Sequence, residues 1–281
     1  AAGAVCAPEI FNNLNIELEE LYCDVDGTFP NHHPDPTVEE NLKDLIQKMK
    51  TGKYDVGIAF DGDADRIGVV DEKGDIIWAD QLMALFLPEI ISPGDEILYD
   101  VKCSKSLEEM IVKYGGKPVM WKTGHSLVKQ KMFDLDCKFG GEMSGHIFFA
   151  DDYYGFDDGI YVAARLLQTL SRSTKNLSEL KDELPKYFST PEMRLEADSD
   201  EDKFRISEAA VEYFTKTYDC STVDGVRINF EDGWGLVRAS NTQPVIVCRF
   251  EATSLEKMEE YKNLVISKLN EIGDLRSDVG H

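Results

Sequence analysis

Asp55-Val56-Gly57-Ile58-Ala59-Phe60 runs straight into Asp61-Gly62-Asp63-Ala64-Asp65-Arg66, and this join decides the fold. The first stretch is an apolar run of strand length. The second places three carboxylates at alternate positions immediately after it. A loop at the carboxyl end of a strand is where α/β sheets place ligands. Hard oxygen donors in a short loop suit Mg²⁺ or a similar divalent ion, so Asp61, Asp63 and Asp65 are candidate metal ligands. Small residues at Gly62 and Ala64 let such a loop close around an ion. Three neighbouring carboxylates repel one another unless positive charge sits among them. The plainer alternative is a solvated acidic turn. An EF-hand loop is excluded, because its glycine and terminal glutamate are missing.

Working outward, short apolar runs alternate with amphipathic stretches. Ala7–Leu14 is expected as a helix and Ile16–Leu21 as a strand. Thr37-Val38-Glu39-Glu40 reads as a capping box opening a helix to about Met49. Ile67–Val70 and Ile76–Trp78 flank Asp71-Glu72-Lys73-Gly74 as a hairpin, and Asp80 is expected to cap the helix after it. Strands are expected at Ile97–Val101, Lys117–Trp121, Cys137–Gly140 and Ile147–Phe149. Helices are expected at Ser104–Tyr114 and Gly124–Met132, with a longer one from Gly159 to Leu170 capped by Asp157. Beyond about Tyr187 the order changes to strand Glu192–Glu196, helix Asp202–Thr217, three strands in succession, and helix Leu255–Leu269. The predicted fold class is α/β: two mixed-sheet α/β units (residues 1–76, the first truncated, and 77–187) followed by a small α+β domain at 188–281.

The 281 residues suit two or three domains. Net charge is −23, which disfavours nucleic acid and anionic membranes as partners, since both need excess Lys and Arg. Six cysteines lie far apart without a CxxC pair, as expected of a reduced, cytoplasmic chain. No apolar run is long enough to span a bilayer. The chain opens at Ala1-Ala2-Gly3-Ala4, without Met or a signal-peptide pattern, and reads as beginning in mid-sequence.

Two further stretches carry chemistry. In Gly140-Gly141-Glu142-Met143-Ser144-Gly145-His146, glycines bracket a carboxylate, a hydroxyl and an imidazole. Glu142 and Ser144 are candidates for bonding sugar hydroxyls, and His146 for moving protons near neutral pH. It is not a GxSxG elbow, which weakens a hydrolase reading. Arg238-Ala239-Ser240-Asn241-Thr242-Gln243-Pro244 lies between two strands and offers a guanidinium with neutral donors, a combination suited to phosphate. Lys102, after the strand Ile97–Val101, and Thr123-Gly124-His125, opening a helix, are weaker candidates that gain weight from lying at strand ends. Pro30-Asn31-His32-His33-Pro34-Asp35-Pro36 looks like a metal tract, but its prolines favour a rigid structural loop.

Taken in order, these three loops resemble the metal-, sugar- and phosphate-binding loops of the α-D-phosphohexomutases, nearest the bacterial phosphomannomutase/phosphoglucomutase branch. The resemblance runs through the whole chain and includes Tyr22-Cys23 to Pro36, Trp121 to Lys129, and Gly155 to Gly159. It implies an isomerase that moves phosphate between O1 and O6 of a hexose. A phosphoserine donates its phosphate, and a bisphosphorylated sugar reorients before returning the other. It also implies Mg²⁺ held by Asp61, Asp63 and Asp65, with Arg66 ordering that loop. Glu142 and Ser144 would contact the sugar, and Met143 stands where the glucosamine enzymes have Gln. Lys102 and His146 would handle protons, Thr123, Gly124 and His125 would line the site, and Arg238, Ser240, Asn241 and Thr242 would clamp the distal phosphate. Asn241 also favours the mannose/glucose branch. Hexose phosphates are the expected partners.

The chain departs from the family pattern at two places. Ala64 stands where Gly is commoner, a mild change unless the position needs positive φ. No Ser-His-Asn-Pro occurs, so the nucleophilic serine and the first domain are expected to lie outside these residues. Two other readings stay open: a non-catalytic sugar-phosphate or metal-binding module, and a DxD phosphatase with Asp61 as nucleophile. The chosen loops gather Arg66, Lys102, Lys122, His125 and Arg238, so a locally basic site is expected within an acidic surface.

Overall fold

The computed structural model describes residues 1–273 and 275–277. The apolar run before the acidic stretch is strand β1 (Val56–Phe60), and it pairs antiparallel with β2 (Ile67–Asp71). Residues 61–66 are therefore the tip of a hairpin. β2 continues through a second hairpin into β3 (Ile76–Ile77), with Gly74 at φ +86°, as its turn position demands. This first sheet is antiparallel in the order β1-β2-β3.

Helix α1 spans Gly3–Asn12, four residues earlier than its periodicity suggested at the start. The expected strand Ile16–Leu21 does not form. Those side chains are exposed or half-buried, and among the described residues no neighbouring strand pairs with them. The expected Thr37 cap does not form either. Thr37 bonds back to Asp35 through N–H and Oγ1, and a 3-10 turn at Glu39–Leu42 precedes helix α2 (Lys43–Met49). Helix α3 (Ala79–Ile90) starts after Trp78, whose N–H is accepted by Gln81 Oε1. Asp80, expected as its cap, lies inside the first turn and accepts the Ser104 N–H at 2.8 Å.

The second sheet is built from β4 (Glu96–Asp100), β5 (Lys117–Trp121), β6 (Phe139–Gly141) and β7 (Ile147–Phe149), in the order β5-β4-β6-β7. β4 and β6 are parallel, β6 and β7 antiparallel, so the sheet is mixed. Helices α4 (Lys105–Lys113) and α5 (His125–Leu135) provide the alternation the sequence predicted. Helix α6 (Gly159–Arg172) packs on β1, β2 and β7, bridging both sheets. Buried Phe86, Phe139 and Phe149 meet at ring separations of 4.9–6.2 Å. Each contributes about 1.5–3 kcal/mol by burial. A short helix α7 (Leu177–Asp182) follows.

Two compact units result. One contains Ala1–Val119 and Gly124–Pro185; the other takes in Met120–Thr123 and the chain from Lys186 onward. The second unit is an antiparallel sheet carrying two helices on one face. Its strands are β8 (Phe188–Ser189), β9 (Met193–Glu196), β10 (Asp219–Ser221), β11 (Val226–Asn229), β12 (Gly233–Ala239), β13 (Val245–Ala252) and β14 (Arg276–Ser277). Their order is β10-β11-β12-β13-β9-β14, with β8 also on β13. The period-two positions Val226, Ile228, Val237, Ile246, Cys248 and Phe250 face helices α8 (Asp200–Thr215) and α9 (Leu255–Ile272). The short strands β8, β10 and β14 had no signal of their own in the sequence.

Candidate active site

All three stretches singled out in the sequence are the tips of antiparallel hairpins: residues 61–66 between β1 and β2, 142–146 between β6 and β7, and 240–244 between β12 and β13. A hairpin tip has spare backbone N–H groups and side chains on a rigid base, which suits ligand contact.

The acidic tip is shaped from within and from outside. Asp61 is buried, and both its oxygens are engaged by Arg66. Oδ1 accepts the backbone N–H at 3.1 Å, and Oδ2 accepts Nε–H at 2.7 Å. Arg66 Nη1 also reaches Asp35 at 3.2 Å, so the proline tract 30–36 braces this tip. Ala64 sits at φ +66°, so the departure from Gly is a real local strain, not a mild change. External braces hold it there. Gly159 N–H donates to Ala64 O at 2.9 Å, Ile67 N–H to Gly145 O at 3.2 Å, and Ala2 N–H to Gly62 O at 2.9 Å.

One oxygen from each of Asp61, Asp63 and Asp65 lies within 4.8 Å of the others. Burial pushes the Asp65 carboxyl up to about 6, and Asp61 and Asp63 add to the rise. An environment that resists a third negative charge is one a divalent cation would relieve. The residues present thus fit a hard cation. A nucleophilic role for Asp61 fits poorly, since its carboxylate is buried against the Arg66 guanidinium; this argues against the phosphatase alternative.

The 142–146 tip is closed by Glu142 N–H to His146 O at 2.8 Å and Gly145 N–H to Glu142 O at 3.1 Å. Gly145 has φ +102°, and a Cβ there would come within 2.7 Å of Ile67 O. Ser144 is half-buried, but Glu142 is 1 % exposed, with Oε1 accepting the Gly124 N–H. Burial, followed by the neighbouring Asp100, lifts the Glu142 carboxyl to about 7. Met143 N–H donates to Asp100 Oδ1 at 3.2 Å, and buried Lys102 lies 4.0 Å from Asp100 Oδ2. Asp100 was not singled out by sequence; its only signal was its place at the end of β4.

Asp157 is the largest correction among site residues. It was expected as the α6 cap, but Asp158 does that work, accepting the Tyr161 N–H at 3.0 Å. Asp157 instead meets Lys129 Nζ at 2.7 Å, His125 Nδ1 at 3.1 Å and His146 Nδ1 at 3.2 Å. His146 also lies 3.6 Å from Asp65. Burial works against charge on both partners, yet His146 and Lys129 hold Asp157 well below the usual carboxylate range. Asp157, Asp65 and Glu142 likewise keep His146 above its ordinary value.

In the second unit Arg238 is buried at the end of β12, with Nε donating to Asp224 Oδ2 at 2.8 Å. Its Nη2 is buried without a hydrogen-bond partner among the described residues, as a guanidinium awaiting an anion would be. Asp224 Oδ2 also accepts the Thr123 N–H at 3.1 Å. Ser240 is buried, and its Oγ accepts the Thr242 and Gln243 N–H groups at 3.3 Å each, while Asn241 and Thr242 are exposed. Lys203, almost wholly buried, donates to Gln243 O at 2.8 Å and fixes the far side of the tip.

Comparison with known proteins adds a consistent set of likenesses. Three family models match in succession: phosphoglucomutase/phosphomannomutase alpha/beta/alpha domain II at residues 1–74, domain III at 78–188, and the C-terminal domain at 190–268. The chain is 48 % identical over 273 residues to a phosphomannomutase/phosphoglucomutase of Pseudomonas aeruginosa, covering 96 % of this chain and 59 % of that protein. It is 44 % identical over 265 residues to a phosphoglucomutase of Neisseria gonorrhoeae, covering 93 % and 57 %. A solved phosphoglucomutase/phosphomannomutase family protein from Burkholderia thailandensis superposes with TM-score 0.89 at 43 % identity, covering 97 % of this chain and 59 % of that one. The chain thus spans somewhat over half the length of these relatives.

Proposed function

Because this chain belongs to the phosphoglucomutase/phosphomannomutase family, we propose that it carries the metal, sugar and distal-phosphate parts of a mutase interconverting hexose 1-phosphate and hexose 6-phosphate. The observation that supports this best is the three hairpin tips, each falling in a different one of the three matched domains. The nucleophilic serine of the reaction lies outside these 281 residues, which contain no Ser-His-Asn-Pro. The 281 residues alone are therefore inactive, and their working place is the cytoplasm. Among the described residues no helix is long and apolar enough to cross a membrane.

Mg²⁺, held by Asp61, Asp63 and Asp65, would supply charge neutralisation for a phosphoryl group in transfer. The chain's own residues do the rest. Arg66 fixes Asp61 so that the acidic tip does not rearrange. Ser144 and Glu142 take sugar hydroxyls; a carboxyl titrating near neutrality can accept or donate. His146 Nε2 or Lys102 Nζ receives the proton of the attacking sugar hydroxyl as its oxygen bonds to phosphorus and the bond from phosphorus to the serine oxygen breaks; in the second half the serine oxygen takes the other phosphate and the proton returns to the sugar oxygen that loses it. Thr123, Gly124 and His125 line the sugar phosphate. Arg238, through Nη2, with Ser240, Asn241 and Thr242, holds the phosphate that is not reacting.

The test is to incubate the 281-residue chain with glucose 1-phosphate and Mg²⁺ and follow glucose 6-phosphate. No turnover is expected, while calorimetry should register binding of Mg²⁺ and of glucose 6-phosphate. Turnover would overturn the external-serine assignment; absence of both binding events would overturn the subsites.

A further inference from the structure

Three elements converge on Asp157, and none of them is needed for capping. Helix α5 contributes His125 and Lys129, one turn apart on one face. The β6–β7 hairpin contributes His146 from its tip. The turn before α6 contributes Asp157 itself, released because Asp158 caps the helix. The two imidazoles are stacked at 5.3 Å between centroids with their planes 18° apart. One carboxylate oxygen, Oδ2, reaches both Nδ1 atoms, at 3.1 and 3.2 Å, while Oδ1 takes Lys129 at 2.7 Å. These Nδ1 contacts lack hydrogen-bond alignment, since Asp157 Oδ2 and His146 Nδ1 are both buried without a hydrogen-bond partner among the described residues, as is common at a site before its ligand binds. The Asp157 side chain is 7 % exposed, so its geometry is set by packing rather than by solvent. Nε2 of neither ring has a hydrogen bond among the described residues.

We propose that Asp157 is the positioning residue of the hexose-phosphate site, holding His125 and His146 by Nδ1 as one stacked pair so that both present Nε2 to the sugar phosphate. The proposal rests on the mutase reading. A neutral imidazole carries its proton on the nitrogen whose partner accepts it, so an Nδ1 acceptor leaves Nε2 as a lone pair. Such a ring can take a proton from a sugar hydroxyl at Nε2; the opposite tautomer cannot. Charged groups facing the cluster are Lys129 on α5, Asp65 at 3.6 Å from His146, and Glu142 on the hairpin.

The experiment is nitrogen–proton NMR of the histidine rings in the 281-residue chain, at a pH where they are neutral. In the unaltered chain both His125 and His146 should carry the Nδ1–H signature; finding Nε2–H on His146 overturns the proposal without any variant. Asp157→Ala should move both rings toward Nε2–H and weaken glucose 6-phosphate binding about tenfold. Asp158→Ala should lower the melting temperature and leave the ring signatures alone, which separates positioning from mere stability. A folded Asp157→Ala chain with unchanged ring signatures overturns the proposal. If the unaltered chain binds no glucose 6-phosphate, the mutase reading fails, and the ring signatures still decide whether Asp157 sets the pair.

Discussion

The acidic tip at residues 61–66 and the tip at residues 240–244 share one architecture and are both braced from outside, but they differ in what the bracing holds. The acidic tip is clamped by groups distant in sequence: Asp35, Gly145 and Gly159 each bond to it or beside it, and it stores a strained Ala64 and crowded carboxylates. The 240–244 tip is also tied to residues distant in sequence: Lys203 Nζ donates to Gln243 O at 2.8 Å, Arg194 Nη1 to Gln243 Oε1 at 2.7 Å and Ala197 N–H to Pro244 O at 2.9 Å, while Ser240 bonds within the turn and Asn241 and Thr242 stay open to solvent. At the acidic tip the bracing holds a left-handed Ala64 and three crowded carboxylates, whereas at the 240–244 tip it holds neutral side chains on a backbone without positive φ.

The sharpest way to break that contrast is Gly145→Ala. Alanine at φ +102° with its Cβ 2.7 Å from Ile67 O should cost about 3 kcal/mol in denaturant unfolding. A loss below about 1 kcal/mol would show that the external clamp is loose. Next, Asp63→Asn should weaken Mg²⁺ at least about tenfold by calorimetry, and leave inorganic phosphate binding alone. Arg238→Met should do the reverse. Cross-effects of equal size would erase the separation between the two tips.

A smaller effect concerns pH. Glu142 ionises near 7 in the fold and near 4.5 when unfolded, so the folded state binds more protons between those values. Stability therefore falls as pH rises through this window, by about 1 kcal/mol between pH 6 and 7. Glu142→Gln should flatten that slope in thermal melts; an unaltered slope would assign it elsewhere. The smallest expected change is Ala64→Gly. Relief of about 1–2 kcal/mol of left-handed strain is partly offset by about 0.5–1 kcal/mol of chain entropy. A net gain near 0.5 kcal/mol in unfolding free energy is expected, and a loss would mean that the Ala64 methyl packs better than its backbone suffers.

Much of this was legible in the residues. Apolar runs such as Val245–Ala252 and Lys117–Trp121 declared their strands to the residue, and Gly74 marked its turn. The acidic stretch stood out because its three carboxylates are close in sequence, and the hairpin also brings them close in space. Capping was read less well. Asp157 and Asp158 are indistinguishable as symbols, and only the approach of α5 decides which is used for the helix and which for the histidines. Thr37 failed as a cap because Asp35 competes for its N–H. Ile16–Leu21 had strand composition, but a strand needs a neighbour. Ala64 hid its strain because φ is not written in the residue type.

The N–H of Gly159 on the carbonyl of Ala64 has a consequence for how this molecule can be divided. The family models separate at residues 74–78, which invites treating the flanking pieces as interchangeable parts. Yet a Cβ at Gly159 would meet Arg66 O and Ala64 O within 2.9 Å, so the start of α6 and the acidic tip are fitted to each other without spare room. A chimera joined at that seam would bring two sequences matched to different partners. Swapping at residue 76 would keep Asp61, Asp63 and Asp65 together and still part the acidic tip from the Gly159 N–H fitted to it.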